Sequence, residues 1–92
     1  MREYVWETPS EIDLALAKRL KGIRKRRKLT QEELAVRANV SYGSLKKFER
    51  TGDISLRSLT RIALELGVCD EIRRLFTDAP YGSIEEILNE RQ

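Results

Sequence analysis

The stretch that decides the fold is "TQEELAVRANVSYGSLKKFER", residues Thr30–Arg50. It opens with a capping box: Thr30 accepts from the third helical amide, and Glu33 reaches back to the cap. Leu34 and Ala38 then share one face of a short helix. Asn39 tolerates the left-handed conformation that ends helices, so the helix stops within three turns. Ser41 caps a second helix, running from Tyr42 to about Arg50 and ended by Thr51-Gly52. Placing its residues at about 100° intervals turns Leu45 and Phe48 inward, with Glu49 beside them. Gly43, Lys46, Lys47 and Arg50 fall on the outward side. Three cations around a residue without a side chain make a face that approaches a polyanion closely, or merely a solubilising one.

Helix signals continue on both sides. Upstream, "TPSE" supplies Thr8 as cap, Pro9 at the first helical position and Glu11 to close the box. Ile12, Leu16, Leu20 and Ile23 follow as one apolar stripe. Downstream, Ser55 caps a helix whose Leu56, Leu59, Ile62, Ala63 and Leu66 form an apolar face before Gly67. A fifth helix is expected over about Asp70–Phe76, with Ile72, Leu75 and Phe76 inward. Beyond Pro80, Ser83 and Glu86 are spaced to start a short terminal helix. Tyr4-Val5-Trp6 is the one candidate extended edge. The fold class is all-α. Residues 8–78 make the domain, flanked by extensions at 1–7 and 79–92.

Size and composition restrict what such a bundle does. Ninety-two residues suit one small domain. Histidine is absent and Cys69 is the single cysteine, so a Cys/His metal site cannot be assembled and the commonest general base is missing. The carboxylates lie along helical patterns without glycine-rich loops. This argues against an enzyme, and no cofactor is expected. The lone cysteine fits a reducing cytoplasm, with Cys69 a small buried hydrophobe. Neither a signal peptide nor an apolar run of the roughly 20 residues needed to span a bilayer is seen.

Charge is unevenly spread. Residues 1–50 carry 13 basic and 7 acidic side chains, whereas residues 51–92 carry 5 and 8. Eight of the eleven residues in "KRLKGIRKRRK", Lys18–Lys28, are basic. Part of that run complements a helix dipole. The surplus reads either as a solvated face or as a nucleic-acid patch.

A helix, a tight turn and a second helix, with small Ala35 where the two cross, is helix-turn-helix geometry. Its second helix enters the major groove while the first lies across the backbone. Gln31, near the start of the first helix, offers an amide to a phosphate.

The motifs "LTQEELAVRANVS", "SLKKFERTG" and "SLTRIALELGV" resemble the Cro/cI-type (XRE) helix-turn-helix family of bacterial and phage repressors, across roughly Leu16–Phe76. The resemblance implies a lambda-repressor-like bundle of about five helices that binds double-stranded DNA as a homodimer, commonly on inverted repeats, and usually represses transcription. It places Ser41, Tyr42, Gly43 and Lys47 against base edges, and Gln31 and Ser44 at phosphate or buttressing positions. Lys46 and Arg50 add charge on the same face. Arg24 and Glu49 match a pair joining the first and third helices, a structural role. The family often has Gly where this chain has Lys28 and Asn39, and a polar side chain where it has Gly43. "FERTGDISLRSLTRIALELG" is also similar to HipB-like antitoxins paired with kinase-type toxins of the HipA kind. A module that neutralises such a partner, with DNA binding secondary, is the alternative reading. Trp6 and Tyr4 read as a lid on the core or as an intersubunit contact. Tyr81, Ile84, Ile87 and Leu88 are left to fold back on the domain, form a dimer interface or dock on a partner.

Overall fold

The computed structural model describes residues 6–78. Within them are five helices and no strand: α1 (Pro9–Arg26), α2 (Gln31–Ala38), α3 (Tyr42–Thr51), α4 (Leu56–Glu65) and α5 (Cys69–Arg73). The fold is the all-α bundle expected. The Tyr4-Val5 edge, the helix starting at Ser83 and the Tyr81–Leu88 apolar set lie outside the described residues.

The capping boxes form as read. Thr8 and Thr30 each accept from the amide three residues on, and Glu11 and Glu33 accept from the cap amides at 2.8 Å. The Thr30 backbone amide, helped by the Thr30 hydroxyl, holds the Glu33 carboxyl below its ordinary value. That part of the cap is therefore present at neutral pH. It is lost as acid carries the solution from the ordinary value of 4.5 down through the lowered one.

Three helices end in one and the same way. The amides of Leu29, Val40 and Val68 return to the carbonyls of Arg24, Ala35 and Ala63, five residues back, at 3.2, 2.9 and 2.9 Å. The residue before each is left-handed: Lys28 at φ 60°, Asn39 at φ 57° and Gly67 at φ 76°. This is the Schellman arrangement, in which the residue after the left-handed one packs an apolar side chain back onto its helix. Val40 is buried, and Leu29 and Val68 pack against the core. Lys28 is the costly member, because a side chain in the left-handed region costs about 1–2 kcal/mol while glycine gives back part of that in entropy. Lys28→Gly is expected to raise stability by about 0.5–1 kcal/mol, seen as a higher urea midpoint with unchanged slope.

The core is built on Phe48, Leu34, Leu45, Ile62 and Leu66, each essentially inaccessible. Burial of this kind stabilises by about 1.5–3 kcal/mol per side chain. α1 packs on α3, α2 on both α3 and α4, and α5 on α4. Ala17, Ala35 and Ala63 are buried, where small side chains let helix backbones approach.

Several apolar expectations are corrected. The covered centre of α1 is Ala17, Leu20 and Arg24, while Ile12 and Leu16 are only partly covered, at 45% and 37% exposed. Leu16 lines a partly open groove beside α4 and α5 rather than a closed helix contact. Leu56 is 70% exposed, because it sits in the first turn of α4, ahead of the part covered by the rest of the bundle. α5 stops at Arg73 rather than Phe76. Leu75 is half-exposed, and Phe76, left-handed at φ 66°, is 84% exposed. Trp6 is exposed rather than a lid on the core. Cys69 begins α5 and is only partly covered.

Candidate nucleic-acid interface

A rigid probe needs its inner face locked before its outer face means anything. On α3 the lock is Leu45, Phe48 and Glu49, all buried. The Arg24 guanidinium donates to Glu49 through two atoms, Nε to Oε2 at 2.7 Å and Nη2 to Oε1 at 3.0 Å, in a two-pronged pair. Its third nitrogen, Nη1, donates to the Leu29 carbonyl at 2.7 Å. Arg24 thus ties α1 to α3 and also to the turn that leads into α2. Among the described residues no buried side-chain nitrogen or oxygen lacks a partner.

Gln31 joins this group. Its Nε2 donates to Glu49 Oε1 at 2.8 Å, so the side chain braces α2 against α3. Of the two positions its family match offers, the geometry is that of the buttress. The far end of α3 is fixed by Gly52, left-handed at φ 87°, whose amide donates to the Phe48 carbonyl at 2.7 Å. A Cβ at Gly52 would lie 2.6 Å from the Asp13 carbonyl carbon and the Leu14 nitrogen, so only glycine lets α1 come this close.

The outward face presents Ser41, Tyr42, Gly43, Ser44, Lys46, Lys47 and Arg50, every one exposed. Ser41 Oγ accepts from the Ser44 amide at 3.0 Å and shares a 2.7 Å hydrogen bond with Ser44 Oγ. Lys46 Nζ lies 4.6 Å from the centre of the Tyr42 ring, a cation–π contact that aligns ring and charge. Open space surrounds the Gly43 Cα, with no atom within 4 Å of where a Cβ would stand.

One acid intrudes where the helix reading placed only cations. Asp53 Oδ2 sits 3.0 Å from Lys47 Nζ, both side chains exposed. Thr51 arranges this, its hydroxyl donating to the Lys47 carbonyl at 2.7 Å and accepting from the Asp53 amide at 3.1 Å. A helical wheel of α3 misses Asp53, since it lies beyond Gly52 where the chain reverses. The "TGD" turn after a helix is the signal that finds it. Of the basic run in α1, Arg24 is buried in the lock, and Arg27 lies over Gly67 at the end of α4. Lys18, Arg19, Lys25 and Arg26 remain exposed.

The α2–turn–α3 unit, with a three-residue turn at Asn39–Ser41, is followed by a family model described as helix-turn-helix that matches residues 20–70. That segment is more than half of the chain. The chain belongs to the Cro/cI-type helix-turn-helix family. No curated protein matches the chain. Membership makes this a DNA-binding helix-turn-helix protein. Among the described residues no helix is long and apolar enough to cross a membrane, and no cluster of three metal-ligating side chains occurs.

Proposed function

We propose that this helix-turn-helix protein is a transcriptional repressor that binds operator DNA as a homodimer, with α3 in the major groove of each half-site. The observation that carries the proposal is the division of α3 into two faces. Leu45, Phe48 and Glu49 anchor it, while Ser41–Ser44, Lys46, Lys47 and Arg50 stand clear of the domain. In this reading residues 8–78 are the DNA-binding unit. Ser41 and Tyr42 meet base edges at the start of the helix. Gly43 lets the backbone come close, and Lys46 and Arg50 neutralise phosphates. Lys47 reaches a base edge, with guanine O6 and N7 the matching acceptors. Ser44, hydrogen-bonded to Ser41, holds the helix start in shape, and Gln31 acts through Glu49 rather than on phosphate.

Asp53 gives the reading a specific consequence. Before Lys47 turns to DNA it must leave Asp53, and that carboxylate then faces phosphates. An exposed pair of this kind is worth about 0–1 kcal/mol. Asp53→Asn is therefore expected to strengthen binding to all duplexes by a similar factor, up to about fivefold. Lys47→Ala should weaken binding and erase preference at one base pair of each half-site, with discrimination there falling by about 1–3 kcal/mol. Titrations of both variants at several salt concentrations, on a bound operator and on its single-base variants, test this. A uniform loss for Lys47→Ala, with the salt slope reduced by about 1, would reassign Lys47 to phosphate.

Within the same proposal, the likeness of Phe48–Gly67 to HipB-like antitoxins makes this repressor the inhibitory half of a pair with a kinase-type toxin. Co-expression with a kinase encoded beside it, followed by assay of growth and of complex formation, decides that role. The cytoplasm is the matching compartment.

A further inference from the structure

An apolar groove of about 360 Å³ runs between α1, α4 and α5. Leu16, Leu20 and Ile23 line it from α1, Leu59 from α4, and Ile72 and Leu75 from the α5 side. No α3 residue takes part, so it is separate from the candidate DNA-binding face. Leu16 and Leu75 are more than a third exposed, and Ile12 extends the same stripe one turn along α1. Its lining is apolar and its rim carries Arg19 and Glu71, the make-up of a docking groove.

We propose that the groove is the docking site of this chain's own residues 83–90, whose Ile84, Ile87 and Leu88 cover it as one helical face. The first support is position. The described chain reaches Asp78 three residues after Leu75, which itself lines the groove. The link Ala79–Gly82 then spans at most about 17 Å, which leaves the groove within reach of the segment from Ser83 on. Pro80 and Gly82 are residue types that turn a chain back. The second support is pattern. Ser83 and Glu86 have capping-box spacing, and Ile84, Ile87 and Leu88 fall at i, i+3 and i+4, the spacing of a single apolar stripe.

The third support is charge. The segment's remaining charged residues up to Glu90 are Glu85, Glu86 and Glu90. Arg19 lines the groove, and Arg26 follows seven residues along the same face of α1. The acid lining the groove, Glu71, is turned to Arg74 at 3.5 Å. A tether this short also gives the segment an effective concentration in the millimolar range. That favours it over a second copy of the chain.

The test is a double-mutant cycle in the full 92-residue chain, joining Leu75→Asp on the groove with Ile87→Asp on the segment. Leu75 is already half-exposed, so its replacement leaves the core intact. Each single change is expected to lower the melting temperature by about 5 °C, and the double change by little more than either. Leu64→Asp, equally exposed but outside the groove, should add fully to Ile87→Asp. Methyl NMR on a mixture of labelled and unlabelled chains then locates the contact. Contacts from Ile87 to Leu16 and Ile72 within one chain support the proposal. The same contacts only between chains would overturn it in favour of a second copy. Additive melting shifts with no such contacts would overturn it too, leaving the groove open to another protein.

Discussion

Gly52→Ala is expected to destabilise the domain by about 2–5 kcal/mol, the largest effect of any single methyl group added to it. Two independent costs meet at this position. The residue is left-handed at φ 87°, which costs a side chain about 1–2 kcal/mol. The new Cβ would also stand 2.6 Å from the backbone of Asp13 and Leu14, inside α1. A helix backbone cannot yield as a flexible side chain does, so α1 and α3 must part, and forcing a packed core apart costs about 1–3 kcal/mol. A small domain has only about 5–15 kcal/mol in total, and a short chain sits low in that range. Gly67→Ala is the matched control. It is left-handed too, at φ 76°, but the nearest atoms belong to the movable Arg27 guanidinium. Urea unfolding of both variants should show Gly52→Ala losing roughly twice as much as Gly67→Ala. Equal losses would show that the close approach of α1 contributes nothing.

Arg24→Ala is expected to cost about 3–5 kcal/mol, because it strands the Glu49 carboxylate in the interior. It also removes the donor to the Leu29 carbonyl, loosening the entry to α2. Loss of DNA binding in this variant would follow from loss of fold, even though Arg24 lies in the most basic run of the chain. The double variant Arg24→Met, Glu49→Leu separates the two. Replacing a buried pair by apolar side chains of similar size is often neutral or better, so the double variant should recover most of the stability. Gln31, half-buried, then turns its amide to water. Thermal melting joined to a duplex-binding titration checks both halves. The double variant should melt near wild type and bind DNA; a stable double variant unable to bind would give Arg24 or Glu49 a direct part in recognition.

The turns and caps were legible because their signals are local. Thr8-Glu11, Thr30-Glu33 and Asn39 act within four residues, so pattern alone placed three helix ends. The inward turn of Glu49 followed from helical periodicity, and its partner Arg24 came from family resemblance. The common form of the three Schellman ends was visible only in part, since Lys28 gives little hint of a left-handed residue. Periodicity identifies an apolar stripe but not how far a neighbour covers it. Ile12, Leu56 and Leu75 therefore sit on correct stripes and still face outward. Phe76 departs for a different reason: α5 ends three residues before it, and a left-handed φ swings it outside. At the candidate interface, helical periodicity placed Gly43, Lys46, Lys47 and Arg50 outward and the family resemblance added Ser41, Tyr42 and Ser44; all seven are exposed. It missed Asp53 because a chain reversal, not a helical repeat, brings that acid to Lys47. It left Gln31 at a phosphate or a buttressing position, and only the packing shows its amide donating to Glu49.

Selection of bound duplexes from a randomised DNA pool, at near-physiological salt and followed by sequencing, tests the central claim most directly. The reading of α3 as a dimeric operator probe predicts enrichment of an inverted repeat with half-site centres about one helical turn, roughly 34 Å, apart. A folded protein that enriches no sequence, or only a single unpaired site, would contradict it.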